Sequence, residues 1–203
     1  MKKQSMNKLN FLIFAFVILT ITSFGQDKEK NYDNYTEIEK RIEECIDNWL
    51  ETKNVAWTEL KTSFENYFSS SKITNSNDPI EKQYLDILTF IEKPTRQFPI
   101  LKDKQKILAI KDNLGLSDKD ILSKNQLDCF TNQYIENKMD IDTTSSFYVF
   151  GSSFETMKQI PDISPGLLAG AVKMAMDKKD LKKELYQKTI VLMYYFDFAL
   201  FLK

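Results

Sequence analysis

Residues 35–50 read YTEIEKRIEECIDNWL, and the spacing of the apolar side chains in this stretch decides the fold class. Ile38, Ile42, Cys45, Ile46, Trp49 and Leu50 recur at steps of three and four, which gathers them on one stripe of a helix with 3.6 residues per turn. Glu37 and Arg41, four apart with the acid first, add modest support on the outer face. Asn54 is the expected stop. A second stripe follows with Trp57, Leu60, Phe64, Tyr67 and Phe68, and so short a connection predicts that the two helices lie side by side, antiparallel.

The period continues along the chain. Ser69 to Asn77 is polar and reads as a loop, after which Asp78-Pro79-Ile80-Glu81 combines an N-cap acid, proline at the first helical position and glutamate at N3. The helix it opens carries Ile80, Tyr84, Leu88 and Ile91 and halts near Pro94. A further helix is expected over Pro99 to Leu114, closed by Gly115 as a left-handed cap. Ser117 and Asp120 form a second capping box ahead of Ile121, Leu122, Cys129, Phe130 and Tyr134. Phe147, Phe150, Phe154 and Met157 keep helical spacing up to Pro161, and Ser164-Pro165 restarts the chain as cap and first helical residue. Leu168, Ala171, Val172 and Ala175 make a small-residue stripe. From Ile190 to Leu202 only Asp197 is charged, and a helix apolar all round belongs in the middle of a bundle.

Composition agrees with helix. After Gly25 only Gly115, Gly151, Gly166 and Gly170 remain, too few for a turn-rich β protein, and no strand pattern of comparable length occurs. The expectation is an all-α protein: one domain over residues 26–203, built as an antiparallel bundle of about six to eight helices, with residues 26–33 disordered.

Residues 1–25 give an expected address. Lys2, Lys3 and Lys8 precede an apolar run from Phe11 to Ile21, and Ser23 and Gly25 place small residues before Gln26. That is the pattern of a secretory signal peptide cleaved between Gly25 and Gln26, since the run is shorter than the ~20 residues a bilayer span needs. With lysine and asparagine abundant, the segment resembles the leaders of exported bacterial proteins. The expectation is export through the inner membrane to the periplasm or beyond, with no membrane span left after cleavage. Cleavage removes three of the 28 basic residues and none of the 29 acidic ones, leaving a mature chain about four charges negative. Its lysines are scattered and it has only Arg41 and Arg96 as guanidinium forks, so nucleic acid is not an expected partner.

Histidine is absent, which removes Ser-His-Asp and Cys-His nucleophile systems, helical His-Glu-x-x-His zinc sites, Glu-x-x-His di-iron bundles and histidine-ligated haem. No glycine-rich phosphate loop occurs. Asp140 and Asp142 could open a calcium loop, but Ser145 and Gly151 stand where its glycine and its glutamate should be. The residues therefore assign no cofactor, no metal and no catalytic group. Paired carboxylates are the remaining route to acid–base chemistry, with Glu43-Glu44, Glu92 and Glu155 as candidates by type alone.

Three further features have both a functional and a plain reading. Asp197 is a buried acid of perturbed pKa or a carboxylate answered by a neighbour. Gly166 and Gly170 are spaced for a close helix crossing. Cys45 and Cys129 both fall on apolar stripes; they form a disulfide if their Cα atoms approach within about 7 Å, and otherwise are two separate buried thiols. The leading functional expectation is a non-catalytic binding or inhibitor module of the cell envelope, acting through a helix face on a protein partner. The alternatives are a carrier of a small apolar ligand, with its pocket between Phe147–Met157 and Ile190–Leu202, and a carboxylate-dependent hydrolase.

Overall fold

A computed structural model of the chain describes residues 36–93, 105–115, 124–138, 141–159 and 164–200. These residues form eight α-helices and no strand: α1 (Thr36–Thr52), α2 (Trp57–Ser70), α3 (Ile80–Glu92), α4 (Gln105–Leu114), α5 (Lys124–Asn137), α6 (Ser146–Gln159), α7 (Pro165–Ala175) and α8 (Glu184–Leu200). A 3-10 turn, Asp180–Lys182, precedes α8. The protein is an all-α multi-helix bundle.

Helix α8 is its axis. Every residue from Leu185 to Tyr195 is buried, and α1, α2, α4 and the 3-10 turn all pack on this helix. On the other side of the bundle α3 packs on α7, α5 on α6 and α1, and α6 on α7. Helices α1 and α2, expected to lie side by side, make their larger contacts with other helices. Helix α1 lies on α5 and α8, and α2 on α8. The buried row Ile42, Ile46 and Leu50 explains the geometry. Cys45 stands on one flank of that row, toward α5. Glu39, Glu43 and Asp47, four apart, stand on the other flank, toward α8.

Local signals set most of the boundaries. Asn54 ends α1 at φ 53°, with the Val55 N–H donating to the Leu50 carbonyl (3.1 Å) and the Asn54 N–H to that of Glu51 (3.0 Å), a Schellman arrangement. Gly115 ends α4 at φ 70°, as its position predicts. Ser164 caps α7, its Oγ accepting from the Leu167 N–H at 3.4 Å, with Pro165 in the first turn. The box at α3 is displaced by one residue. The first carbonyl to accept is that of Pro79, from Lys82 and Gln83, while the Asp78 carboxylate pairs with the Lys82 ammonium. Ser145 caps α6, its Oγ accepting from the Tyr148 N–H at 3.1 Å, a role the sequence analysis did not assign to it. Pro94, Pro99, the Ser117/Asp120 box, Asp140 and the segment 1–25 lie outside the described residues.

Helix α2 also closes in a Schellman turn, with Lys72 in the left-handed position at φ 57°. A lysine Cβ is strained there and a glycine is not. Lys72→Gly should therefore stabilise the fold by about 0.5–1 kcal/mol and raise the melting temperature by about 1–3 °C. A calorimetric scan showing a lower melting temperature would contradict that account of the turn.

Two glycines are explained by contact. A Cβ on Gly151 would sit 2.3 Å from the Tyr134 ring, so α6 approaches α5 only because position 151 has no side chain. A Cβ on Gly170 would lie 3.2 Å from a Glu92 carboxylate oxygen, where α7 crosses α3. Of the Gly166/Gly170 pair, Gly170 thus sits against the Glu92 side chain at the crossing and Gly166 is buried. The bundle interior is filled by rings: Phe130 lies 4.9 Å from Phe147, 5.5 Å from Phe150 and 5.4 Å from Phe154, and Phe150 lies 5.8 Å from Tyr186. Such offset and edge-on pairs are the preferred aromatic geometries.

Candidate functional site

The densest polar constellation among the described side chains is a seam where α1, α2 and α8 meet. The acid row of α1 faces the start of α8. Lys183 Nζ lies 2.8 Å from Glu39, and Tyr186 Oη donates to the same carboxylate at 2.9 Å. One turn further on, Lys188 Nζ lies 3.1 Å from Glu43 and 2.7 Å from Asp47. The Lys188 side chain is only 4% exposed, whereas those of Glu43 and Asp47 are 33% and 50% exposed.

Trp57, the first residue of α2, joins this row to a second one. Its indole N–H donates to Glu184, and both Lys188 Nζ (5.8 Å) and Lys61 Nζ (5.9 Å) sit over its ring, within cation–π range. Lys61 donates to Gln187 at 2.7 Å and lies 3.9 Å from Glu65, which accepts from Tyr84 Oη at 3.2 Å. Six helix-borne cations and acids, Glu43, Asp47, Lys61, Glu65, Glu184 and Lys188, are thereby linked through one tryptophan.

The electrostatics describe a fastener. Burial pushes the Lys188 ammonium toward neutrality, but its bonds to Asp47 and Glu43 outweigh that and hold its pKa above the ordinary lysine value. A lysine held charged at neutral pH is not a nucleophile. Burial raises the Glu65 carboxyl, opposed by Lys61 and Tyr84, and burial likewise raises Tyr84 well above a free phenol. An acid raised in the folded state makes the fold bind protons more tightly than the unfolded chain does. Its stabilising effect is therefore present at acid pH and lost as pH rises through the folded value. Glu65→Gln keeps an oxygen for Tyr84 and removes the buried charge. It should raise the melting temperature at pH 7 and leave it unchanged near pH 3. A gain of equal size at both pH values would refute burial as the cause.

The carboxylates proposed for hydrolysis do not form a catalytic pair. Glu43 serves Lys188; Glu44 lies 3.9 Å from Lys40; Glu92 pairs with Lys173 on α7; Glu155 lies 3.6 Å from Lys138. Each is engaged by a lysine at a different place in the bundle. Asp142 accepts from the Thr144 N–H and hydroxyl, both at 2.8 Å, which shapes the turn into α6. Among the described residues no group of three or more acids or cysteines is placed to hold a metal ion.

Cys45 and Cys129 form a disulfide with Cα atoms 5.7 Å apart. The expectation that both cysteines point inward holds for Cys129, 6% exposed, and fails for Cys45, which is exposed on the flank of its stripe. Asp197 continues α8, and its side chain lies outside the described set. The sequence reading missed the Glu39-Glu43-Asp47 row and Lys188. The four-residue spacing of the acids and a lysine at the edge of an apolar helix were the available signals.

Among the described residues no helix is long and apolar enough to cross a membrane. No family model, no characterised protein and no solved structure matches this chain.

Proposed function

We propose that this chain is a non-catalytic binding module of the bacterial envelope, exported by residues 1–25 and engaging a protein partner through the outward face of α7. The observation that carries this reading is the pair Leu167 and Met174. They are 50% and 57% exposed, seven residues apart on one face, with Ala171 between them and no charge in the row. Two long apolar side chains around a small residue make a ridge and notch into which a partner helix can insert its own side chain. The row is too narrow for a membrane surface, which calls for a broad apolar face with basic flanks.

The rivals have less support. A carrier needs space between α6 and α8, where Phe150 and Tyr186 are already in ring contact. A hydrolase needs two facing acids, and the candidates are held by separate lysines.

A photo-crosslinking residue in place of Met174, expressed in the producing cell, should give one adduct that Leu167→Glu abolishes. No adduct, or an adduct indifferent to Leu167→Glu, would overturn the reading. Intact-mass measurement of the same protein should show a chain beginning at Gln26, and retention of residues 1–25 would overturn the export proposal.

A further inference from the structure

A groove of about 640 Å³ opens where the end of α2, the turn after it and the outer face of α3 meet, away from the α7 row. Its size falls in the range of small-molecule sites. Hydroxyl and amide side chains line it: Asn66, Ser69, Ser70, Thr74, Asn75 and Ser76. Ile73 is its one apolar lining residue. Lys82 lies between Asp78 and Asp86, 3.3 Å from the latter, and with Lys72 on the rim the formal charges of the lining cancel. Such a lining has little attraction for an apolar ligand and no net charge to draw an ion. The Ser69 and Ser70 hydroxyls donate to the Asn66 and Tyr67 carbonyls and keep lone pairs to accept with, and Asn75 Oδ1 accepts from the Asn77 N–H, so what the lining has left to offer is hydroxyl acceptors beside amide donors, which suits a group able both to donate and to accept.

Thr74 adds an independent observation. It is 7% exposed, it belongs to the groove lining, and its hydroxyl makes no hydrogen bond. A buried hydroxyl without a partner is a cost to the fold, and such exceptions call for a reason. A change of χ1 rotamer moves Oγ1 to another of its three staggered positions at little cost, so the hydroxyl of this lining residue can be re-aimed when a molecule occupies the groove.

We propose that the groove binds a neutral carbohydrate of one or two rings, with Thr74 supplying a hydroxyl that a sugar hydroxyl satisfies and Asn66 and Asp86 anchoring the ring at either side. This goes beyond the protein-binding role assigned to α7 and does not depend on it. The groove is open, so the affinity falls in the weak, millimolar range where a few solvent-exposed hydrogen bonds are the main contribution.

Amide chemical shifts of the purified protein should be followed while neutral sugars (glucose, maltose, cellobiose and chitobiose) are added, with glucuronate and inorganic phosphate as charged comparisons. At least one neutral sugar should move amides within residues 66–86 in a saturable way, and the charged probes should not. Thr74→Val, which keeps the side-chain shape, should raise the melting temperature of the free protein and weaken that sugar about tenfold. Ser76→Ala, an exposed change that leaves the core untouched, should weaken it as well. Shifts from the charged probes alone, no localised shifts from any neutral sugar, or unchanged binding by Thr74→Val would each overturn the proposal.

Discussion

Replacing both Cys45 and Cys129 by alanine should lower the stability of the fold by about 4–5 kcal/mol. The bridge closes a loop with a sequence separation of 84 residues, and chain-entropy loss in the unfolded state grows with the logarithm of that length. A loss of this size is a large part of the 5–15 kcal/mol available to a typical domain. It corresponds to a melting temperature lower by about 10–18 °C for a chain of this length. The bridge ties α1 to α5, while the ionic row ties α1 to α8, so α1 should be the first element to lose protection when the bond is cut. Cys45 is exposed, so a phosphine reductant should reach the bond without global unfolding. Denaturant titration with and without reductant checks this. Coincident midpoints would show that the bridge contributes nothing.

Removing the two acids that face Lys188 should cost about 3–5 kcal/mol, whereas removing Lys188 itself should cost far less. Glu43→Met with Asp47→Leu leaves an ammonium that is 4% exposed with only the Trp57 ring for company. Lys188→Met leaves two carboxylates that already reach water, at 33% and 50% exposure, and it fills the same space with an apolar chain. The pH dependence separates the two states of the lysine. In the natural chain the folded pKa is raised, so the pair's contribution is fully present below about pH 10 and is lost as pH rises through the folded value. Without its acids only burial acts on Lys188, the folded value falls below the unfolded one, and stability should rise with pH as the amine loses its proton. Urea midpoints measured from pH 7 to pH 11 should slope in opposite directions for the two proteins. Parallel slopes would mean that Lys188 is hydrated and not held by the seam.

What could be read from the chain follows the range of the interactions involved. Asn54, Gly115 and Ser164-Pro165 act within four or five residues of themselves, and each terminates or starts a helix where its local chemistry says it should. Asp78 shows how a local rule fails. Its carboxylate pairs with Lys82 one turn on, and the first accepting carbonyl of the helix is that of Pro79. Gly151 was legible only as a poor calcium ligand, because the contact that requires it is the ring of Tyr134 on another helix.

The candidate site was legible in still smaller part. Sequence alone identified the acids as surface groups and the cysteines as a pair with two outcomes. It could not indicate that Glu43 and Asp47 meet a lysine more than 140 residues away, or that α7 leaves Leu167 and Met174 open.

The sequence by itself determined that this protein is all-α, that the last helix is buried all round from Ile190 as far as its described side chains run, to Tyr195, and that histidine-dependent chemistry is closed to it. Those properties reside in a period of 3.6 residues and in composition, which need no knowledge of neighbours. Tertiary structure alone decided which flank of α1 meets which helix. It also closed the Cys45–Cys129 bond, left Cys45 at the surface and buried Lys188 between two acids. Amphipathic stripes specify that a face is covered but not what covers it, because many pairings bury similar apolar area and only side-chain shape and charge across the interface distinguish them.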